Sequence, residues 1–171
     1  MSSEVYILIP SRIGSTRLQD KPLIDLNGKT LIQRILVNSL EVNKNSFVAT
    51  DSLRIKKNIE KISNNVVMTS DSHISGTDRI CEAANKLNLD ENTFILNLQG
   101  DEPFLPKKLI SDVVNDFFIN ECDVITASNE IKSHDEIDNP NCVLVETDNN
   151  NIATKFVRTG KINNPRRHIG V

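Results

Sequence analysis

Four short apolar runs, each followed by a polar loop and then by residues at helical spacing, constrain this chain of 171 residues more than any other feature. The first, Val5 to Ile9, is continuous rather than alternating and is closed by Pro10. Such a run suits a strand buried on both faces, as in a parallel sheet covered by helices. The others are Phe47 to Thr50, Val66 to Thr69 and Thr93 to Leu98. Between them lie predicted helices. Thr30 with Gln33 forms a capping box ahead of Leu31, Ile32, Ile35, Leu36 and Leu40. Asp51 or Ser52 caps a helix carrying Ile55, Ile59 and Ile62. Ser75 or Thr77 opens another with Ile80, Ala84 and Leu87 inward, and Pro106 sits at the start of one bearing Leu109, Ile110, Val113, Val114 and Phe117.

After Cys122 the texture changes. Asp123 to Ala127 and Cys142 to Val145 read as strands on either side of a polar stretch, and Asp148 to Asn151 as a turn into a strand at Ile152 to Phe156. The expected fold is α/β in one domain, residues 1–171, with a mostly parallel sheet flanked by helices and antiparallel additions in the C-terminal half.

Composition enters through what it excludes. A net charge of −3 provides no global basic field for nucleic acid or an anionic membrane, so an anionic ligand needs a local cluster of donors. No apolar run approaches the ~20 residues of a membrane span, and the N-terminus lacks the basic region of a signal peptide; the expected location is cytoplasmic. Cys81, Cys122 and Cys142 are scattered, without metal-site spacing, and read as buried small hydrophobes.

In open α/β sheets ligands bind beyond the carboxyl ends of the strands, which directs attention to three loops. Pro10 to Lys21 carries Arg12, Arg17 and Lys21 with the hydroxyls of Ser15 and Thr16, and Gly14 for close backbone approach. That mixture suits a triphosphate, although a solvated connecting loop would look the same. It is neither GxxxxGK[ST] nor GxGxxG. Ser70 to Arg79 places Gly76 between Ser75 and Thr77 at a helix start, equally a nucleoside contact or a plain cap. Gln99-Gly-Asp-Glu-Pro103 puts Asp101 at the sheet's edge, beside a glycine that permits a sharp turn; a carboxylate there suits Mg²⁺ facing polyphosphate, or else only caps the next helix.

The Pro10-to-Lys21 loop, Ser75-Gly-Thr-Asp-Arg79 and Gln99-Gly-Asp-Glu-Pro103, in this order and spacing, resemble the 3-deoxy-manno-octulosonate cytidylyltransferases. Asn139-Pro-Asn and Arg167-His-Ile-Gly170 add to the likeness, which runs from Val5 to the last residue. The resemblance implies a GT-A-like nucleotidyltransferase fold, a homodimer, and formation of CMP-sugar and pyrophosphate from CTP and the acidic sugar, for lipopolysaccharide synthesis. It implies that Arg12, Ser15 and Lys21 hold the triphosphate, that Ser75 and Gln99 lie near the nucleoside, and that Asp101 binds Mg²⁺. Arg12, Lys21 and Asp101 would be the catalytic set, and Arg158 and His168 would face the sugar.

Two departures stand out. Between Phe156 and Arg167 only Arg158 matches the family pattern, and the chain ends about a third short of the family's usual length. The expectation is therefore weak CTP binding with greatly reduced turnover. A cytidylyltransferase for another acidic sugar, of the acylneuraminate type, and a catalytically inert CTP-binding fragment remain as alternatives.

Overall fold

The structure is a computed structural model that describes residues 4–14, 18–120, 122–160 and 162–171. The chain divides into two compact units, Met1–Asn115 and Asp116–Val171.

The first unit is built on a parallel sheet in the order β3-β2-β1-β4, with β1 (Val5–Ser11), β2 (Ser46–Thr50), β3 (Val66–Met68) and β4 (Phe94–Asn97). The central strand β1 pairs Ile7 to Ser11 with Ser46 to Thr50 on one side and Val5 to Leu8 with Phe94 to Asn97 on the other. Ile7, Leu8 and Ile9 are fully buried, as a strand covered on both faces requires. Leu8 and Ala49 pack with Ile80 and Ala83 of the helix α3 (Gly76–Lys86), and Tyr6, Phe47, Val67 and Ile95 close around them. Burying a leucine or isoleucine side chain in this core stabilises the fold by about 1.5–3 kcal/mol.

The predicted caps form. Thr30 and Gln33 make the reciprocal capping box of α1 (Leu31–Leu40), and the Ser52 hydroxyl accepts from the Ile55 amide at the start of α2 (Leu53–Ile59). The helix α4 (Lys107–Ile119) begins directly after Pro106 and buries Ile110 and Val113. Three details differ from expectation. Helix α2 ends at Ile59, so Ile62 lies beyond it and is exposed. Cys81 is also exposed, on the outer side of α3, whereas Cys142 is buried. Pro10 does not close β1 but lies within it, opposite Ala49. The Leu98 amide donates to the Leu8 carbonyl, so in a parallel ladder residue 10 also faces the β4 side. Paired β4 residues end at Asn97, opposite Leu8, and no ladder bond is lost where proline lacks its N–H.

The second unit holds a separate antiparallel sheet in the order β5-β8-β6-β7. Its strands are β5 (Ala127–Glu130), β6 (Leu144–Thr147), β7 (Ala153–Val157) and β8 (Arg166–Ile169), with a single helical turn, α5 (Asp135–Asp138). The Asp148 turn forms as expected: its carboxylate accepts from the amides of Asn150 and Ile152, and Asn151 is left-handed at φ 61°. The strands expected at Asp123 to Ala127 and Cys142 to Val145 lie further along the chain. Pairing with β8 sets β5, and the apolar residue Val124 is left exposed. Across the described residues no helix is long and apolar enough to cross a membrane.

Candidate functional site

The carboxyl end of β1 is where the first unit gathers its unusual residues. A Cβ placed on Gly100 would come 2.5 Å from the Pro10 carbonyl oxygen, and one on Gly76 would come 3.2 Å from Pro10 Cγ. The loop after β4 and the start of α3 therefore both close on one proline. Gly100 is required by this close approach and not by a left-handed turn, since the only positive-φ glycines among the described residues are Gly28 and Gly160. Gly14, in contrast, has open space where its Cβ would be. Ser11, next to Pro10, has a buried hydroxyl with no hydrogen-bond partner.

Lys21 and Asp101, 80 residues apart, meet at this end of the sheet: Lys21 Nζ donates to Asp101 Oδ2 at 2.9 Å. Both side chains are partly exposed, so the pair is open to a ligand. Lys21 begins a 3₁₀ turn, Lys21–Leu23, in which Pro22 is buried. The preceding residue, Asp20, is left-handed at φ 53°, and its carboxylate takes both arms of the Arg54 guanidinium at 2.9 and 2.8 Å. Arg12 follows β1 directly and is exposed. Ser15, like Thr16 and Arg17, lies outside the described residues.

Ser75 caps α3. Its hydroxyl accepts from the Asp78 amide at 3.1 Å and donates to Asp78 Oδ2 at 2.7 Å, so its hydrogen is already committed and an accepting lone pair remains. Gln99 is half-buried, and its Nε2 donates to Asn97 Oδ1 at 3.0 Å. Arg79, the last residue of the same motif, is almost wholly buried. It donates to Asp51 Oδ2 and to Thr69 Oγ1, both at 2.6 Å, and to the Ser70 carbonyl at 3.3 Å. One guanidinium thus ties the ends of β2 and β3 to the first turn of α3. Asp51 is consumed by this pair, which leaves capping of α2 to Ser52. The loop before α3 is held from the other side. Glu82 accepts from the Ser70 amide, from Lys86 and from His73, and the Lys86 bond first, then the Ser70 amide, hold its pKa at about 2. The sequence marked Asp51 only as a possible helix cap and did not mark Glu82, because Arg79 for the one and Ser70 and His73 for the other come from other segments.

Arg158 and His168 both belong to the second unit. His168, on β8, packs edge-on against Phe156 with ring centroids 5.4 Å apart. Burial, then the nearby Arg158 charge, lower its pKa, favouring the neutral ring. The Thr126 hydroxyl donates to the Val171 carbonyl at 2.6 Å, and His168 Nε2 lies 2.9 Å from Thr126 Oγ1. With the threonine hydrogen used, the neutral histidine must donate through Nε2, leaving Nδ1 as an acceptor.

As a metal ligand, Asp101 offers a single hard carboxylate, and the described residues contain no cluster of three His, Cys, Asp or Glu side chains. This donor set fits Mg²⁺, which is commonly held by one or two carboxylates while phosphate oxygens and water complete its shell.

Comparison with known proteins bears on the family and the fold. The family profile described as "Cytidylyltransferase" matches residues 6–169. The chain is 40% identical over 158 residues to a 3-deoxy-manno-octulosonate cytidylyltransferase of Hahella chejuensis, covering 91% of this chain and 62% of that protein. It is also 40% identical over 158 residues to an 8-amino-3,8-dideoxy-manno-octulosonate cytidylyltransferase of Shewanella pealeana, covering 90% of this chain and 64% of the relative. Among solved structures, CMP:2-keto-3-deoxy-manno-octonic acid synthetase complexed with CTP superposes with a TM-score of 0.85 at 31% identity, covering 98% of this chain and 72% of that one. The chain thus spans a little over three fifths of the length of these curated relatives.

Proposed function

The chain belongs to the cytidylyltransferase family, and on that premise we propose that the protein transfers CMP from CTP to 3-deoxy-manno-octulosonate with release of pyrophosphate. The observation that carries the reading is the meeting of Lys21 and Asp101 where β1 and β4 end. The exposed Arg12 and the Lys21 ammonium oppose the triphosphate, with Ser15 in the same loop, while Ser75 and Gln99 flank the nucleoside. Ser75 would do so as an acceptor, the role its capping bonds leave open.

The reaction sets an electrostatic problem. The anomeric hydroxyl attacks the α-phosphorus, the bond to the β-phosphate oxygen breaks, and the hydroxyl proton passes to solvent or base as pyrophosphate leaves. Both reactants are anions, and two unit charges 4 Å apart repel by ~4 kcal/mol at an effective dielectric of 20. Arg12 and Lys21 reduce that repulsion before the reactants meet, and fixed cations do so without reorganising during the step. Asp101 would hold Mg²⁺, which supplies further charge neutralisation at the phosphates when bound. Arg158 would attract the sugar carboxylate, and neutral His168 would accept a sugar hydroxyl through Nδ1. The reading extends to a homodimer in the cytoplasm whose product feeds lipopolysaccharide assembly, with no nucleic acid or membrane as partner.

The test has two parts. Mg·CTP at a hundred times its Kd should stabilise the chain by ~2.7 kcal/mol in a thermal melt, and Lys21→Ala should remove most of that shift. The whole protein should release pyrophosphate only when CTP and the sugar are both present. Assaying the 8-amino sugar in parallel decides between the two octulosonates. No melt shift at millimolar Mg·CTP would refute the nucleotide assignment.

A further inference from the structure

The bidentate pair between Arg54 and Asp20 has no part in the roles assigned so far. We propose that Arg54 is a positioning residue for the triphosphate: by gripping Asp20 it fixes the left-handed backbone that delivers Lys21 to Asp101. The proposal rests on the nucleotide reading above.

Asp20 adopts φ 53° and ψ 26°, a region that side chains other than glycine disfavour and that aspartate tolerates better than most. Everything after it is anchored. The Leu23 amide donates to the Asp20 carbonyl at 2.8 Å and the Ile24 amide to the Lys21 carbonyl at 3.3 Å; Pro22 is buried, and the Leu31 amide donates to the Ile24 carbonyl at 2.9 Å. The torsions of Asp20 therefore decide how the loop enters the turn that carries Lys21. A relaxed Asp20 would rotate the chain at the position just before the cation.

Arg54 is suited to prevent this. It stands in the first turn of α2, whose place is set by the Ser52 cap and by fully buried Ile55. Its fork meets both carboxylate oxygens, which fixes orientation as well as distance. Arg54 is 62% exposed, so the ion pair contributes little as charge attraction alone. Its effect is geometric: a small bias suffices to choose between two backbone wells close in energy. Because Asp20 neutralises it, Arg54 is a clamp and not one more phosphate-binding cation.

Glycine separates the two roles, since it takes positive φ without penalty and makes a clamp unnecessary. CTP affinity in Mg²⁺ by calorimetry, and exchange of the Leu23 amide without nucleotide, are measured for the parent, Arg54→Ala, Arg54→Lys and the Asp20→Gly/Arg54→Ala double variant. Arg54→Ala should weaken CTP about three- to fivefold and speed Leu23 exchange by a similar factor. Arg54→Lys should fail to restore either, lacking the fork. The double variant should return to within about 1.5-fold of the parent in both readouts. An equal loss of affinity in the double variant would mean that Arg54 acts through its own charge and would overturn the clamp. So would an Arg54→Ala variant indistinguishable from the parent. Should the parent not bind CTP, the triphosphate role falls with the nucleotide reading; Leu23 exchange, which needs no ligand, then reports on the loop-fixing part alone.

Discussion

Gly100→Ala tests how tightly the site is assembled. The added Cβ would sit 2.5 Å from the Pro10 carbonyl oxygen, against about 3.4 Å for ordinary contact, a shortfall of about 0.9 Å. The obstacle is backbone, so no side chain can swing aside. Pro10 itself cannot give way easily: it is buried in the central strand, and the residues before it pair on both sides. The yielding part must be the loop after β4, which moves outward and takes Asp101 with it. Overpacking of this kind costs about 1–3 kcal/mol, which lowers Tm by roughly 2–12 °C at a sensitivity of about 2–4 °C per kcal/mol. A displacement near 1 Å also stretches the 2.9 Å bond between Lys21 and Asp101 beyond hydrogen-bonding range. Melts with and without Mg·CTP should therefore show two effects, a lower Tm and a smaller ligand-induced shift. A Gly100→Ala variant with the parent's Tm and the parent's CTP shift would refute the close packing of this loop on Pro10.

Arg79→Leu should lower stability by about 3 kcal/mol, because it strands the Asp51 carboxylate beside a buried apolar side chain. Adding Asp51→Leu should recover part of the loss in urea titrations, and a double variant worse than the single would count against this ion-pair account. The Glu82 carboxylate is held at about 2 rather than 4.5, so its stabilising contribution is present above pH 4.5 and is lost as pH falls toward 2. The Tm gap between the parent and Glu82→Gln should therefore close across that window, and a gap constant with pH would be contrary evidence. His168 has its pKa lowered by burial and Arg158, so below about pH 6.5 the unfolded chain binds the proton more readily and acidification destabilises the fold. An NMR titration should place its midpoint below 6.5, and Arg158→Gln should raise it; a midpoint at or above 6.5 in the parent would contradict the buried setting.

The parallel half of the fold was readable because its signals are local. Continuous apolar runs mark strands covered on both faces, and Thr30, Ser52 and Ser75 each stand where a helix needs a cap. The antiparallel half was less legible. Strand β8 reads Arg166-Arg-His-Ile169 and has no apolar alternation; pairing with β5 and β6 gives it its form. Similarly, β5 takes the polar residues Ser128, Asn129 and Glu130 and leaves Val124 outside, because cross-strand register outweighs local preference. At the site, loop composition pointed to Lys21 and Asp101, and the structure brings them together. The supports behind them, Arg79 with Asp51 and Arg54 with Asp20, depend on contacts 28 and 34 residues apart, which no spacing rule reveals.

Pro10 sets a common gauge for the carboxyl end of the sheet. The start of α3 meets its ring at Gly76 and the loop after β4 meets its carbonyl oxygen at Gly100, so both are indexed to one residue of the central strand. Either loop can then be rebuilt independently, provided its glycine stays where it meets the proline. Replacing Pro10 would remove the ring that meets Gly76 and keep the carbonyl that meets Gly100. An attempt to graft a new binding specificity onto this scaffold should therefore vary the residues beyond Gly76 and Gly100 and leave this three-residue datum untouched.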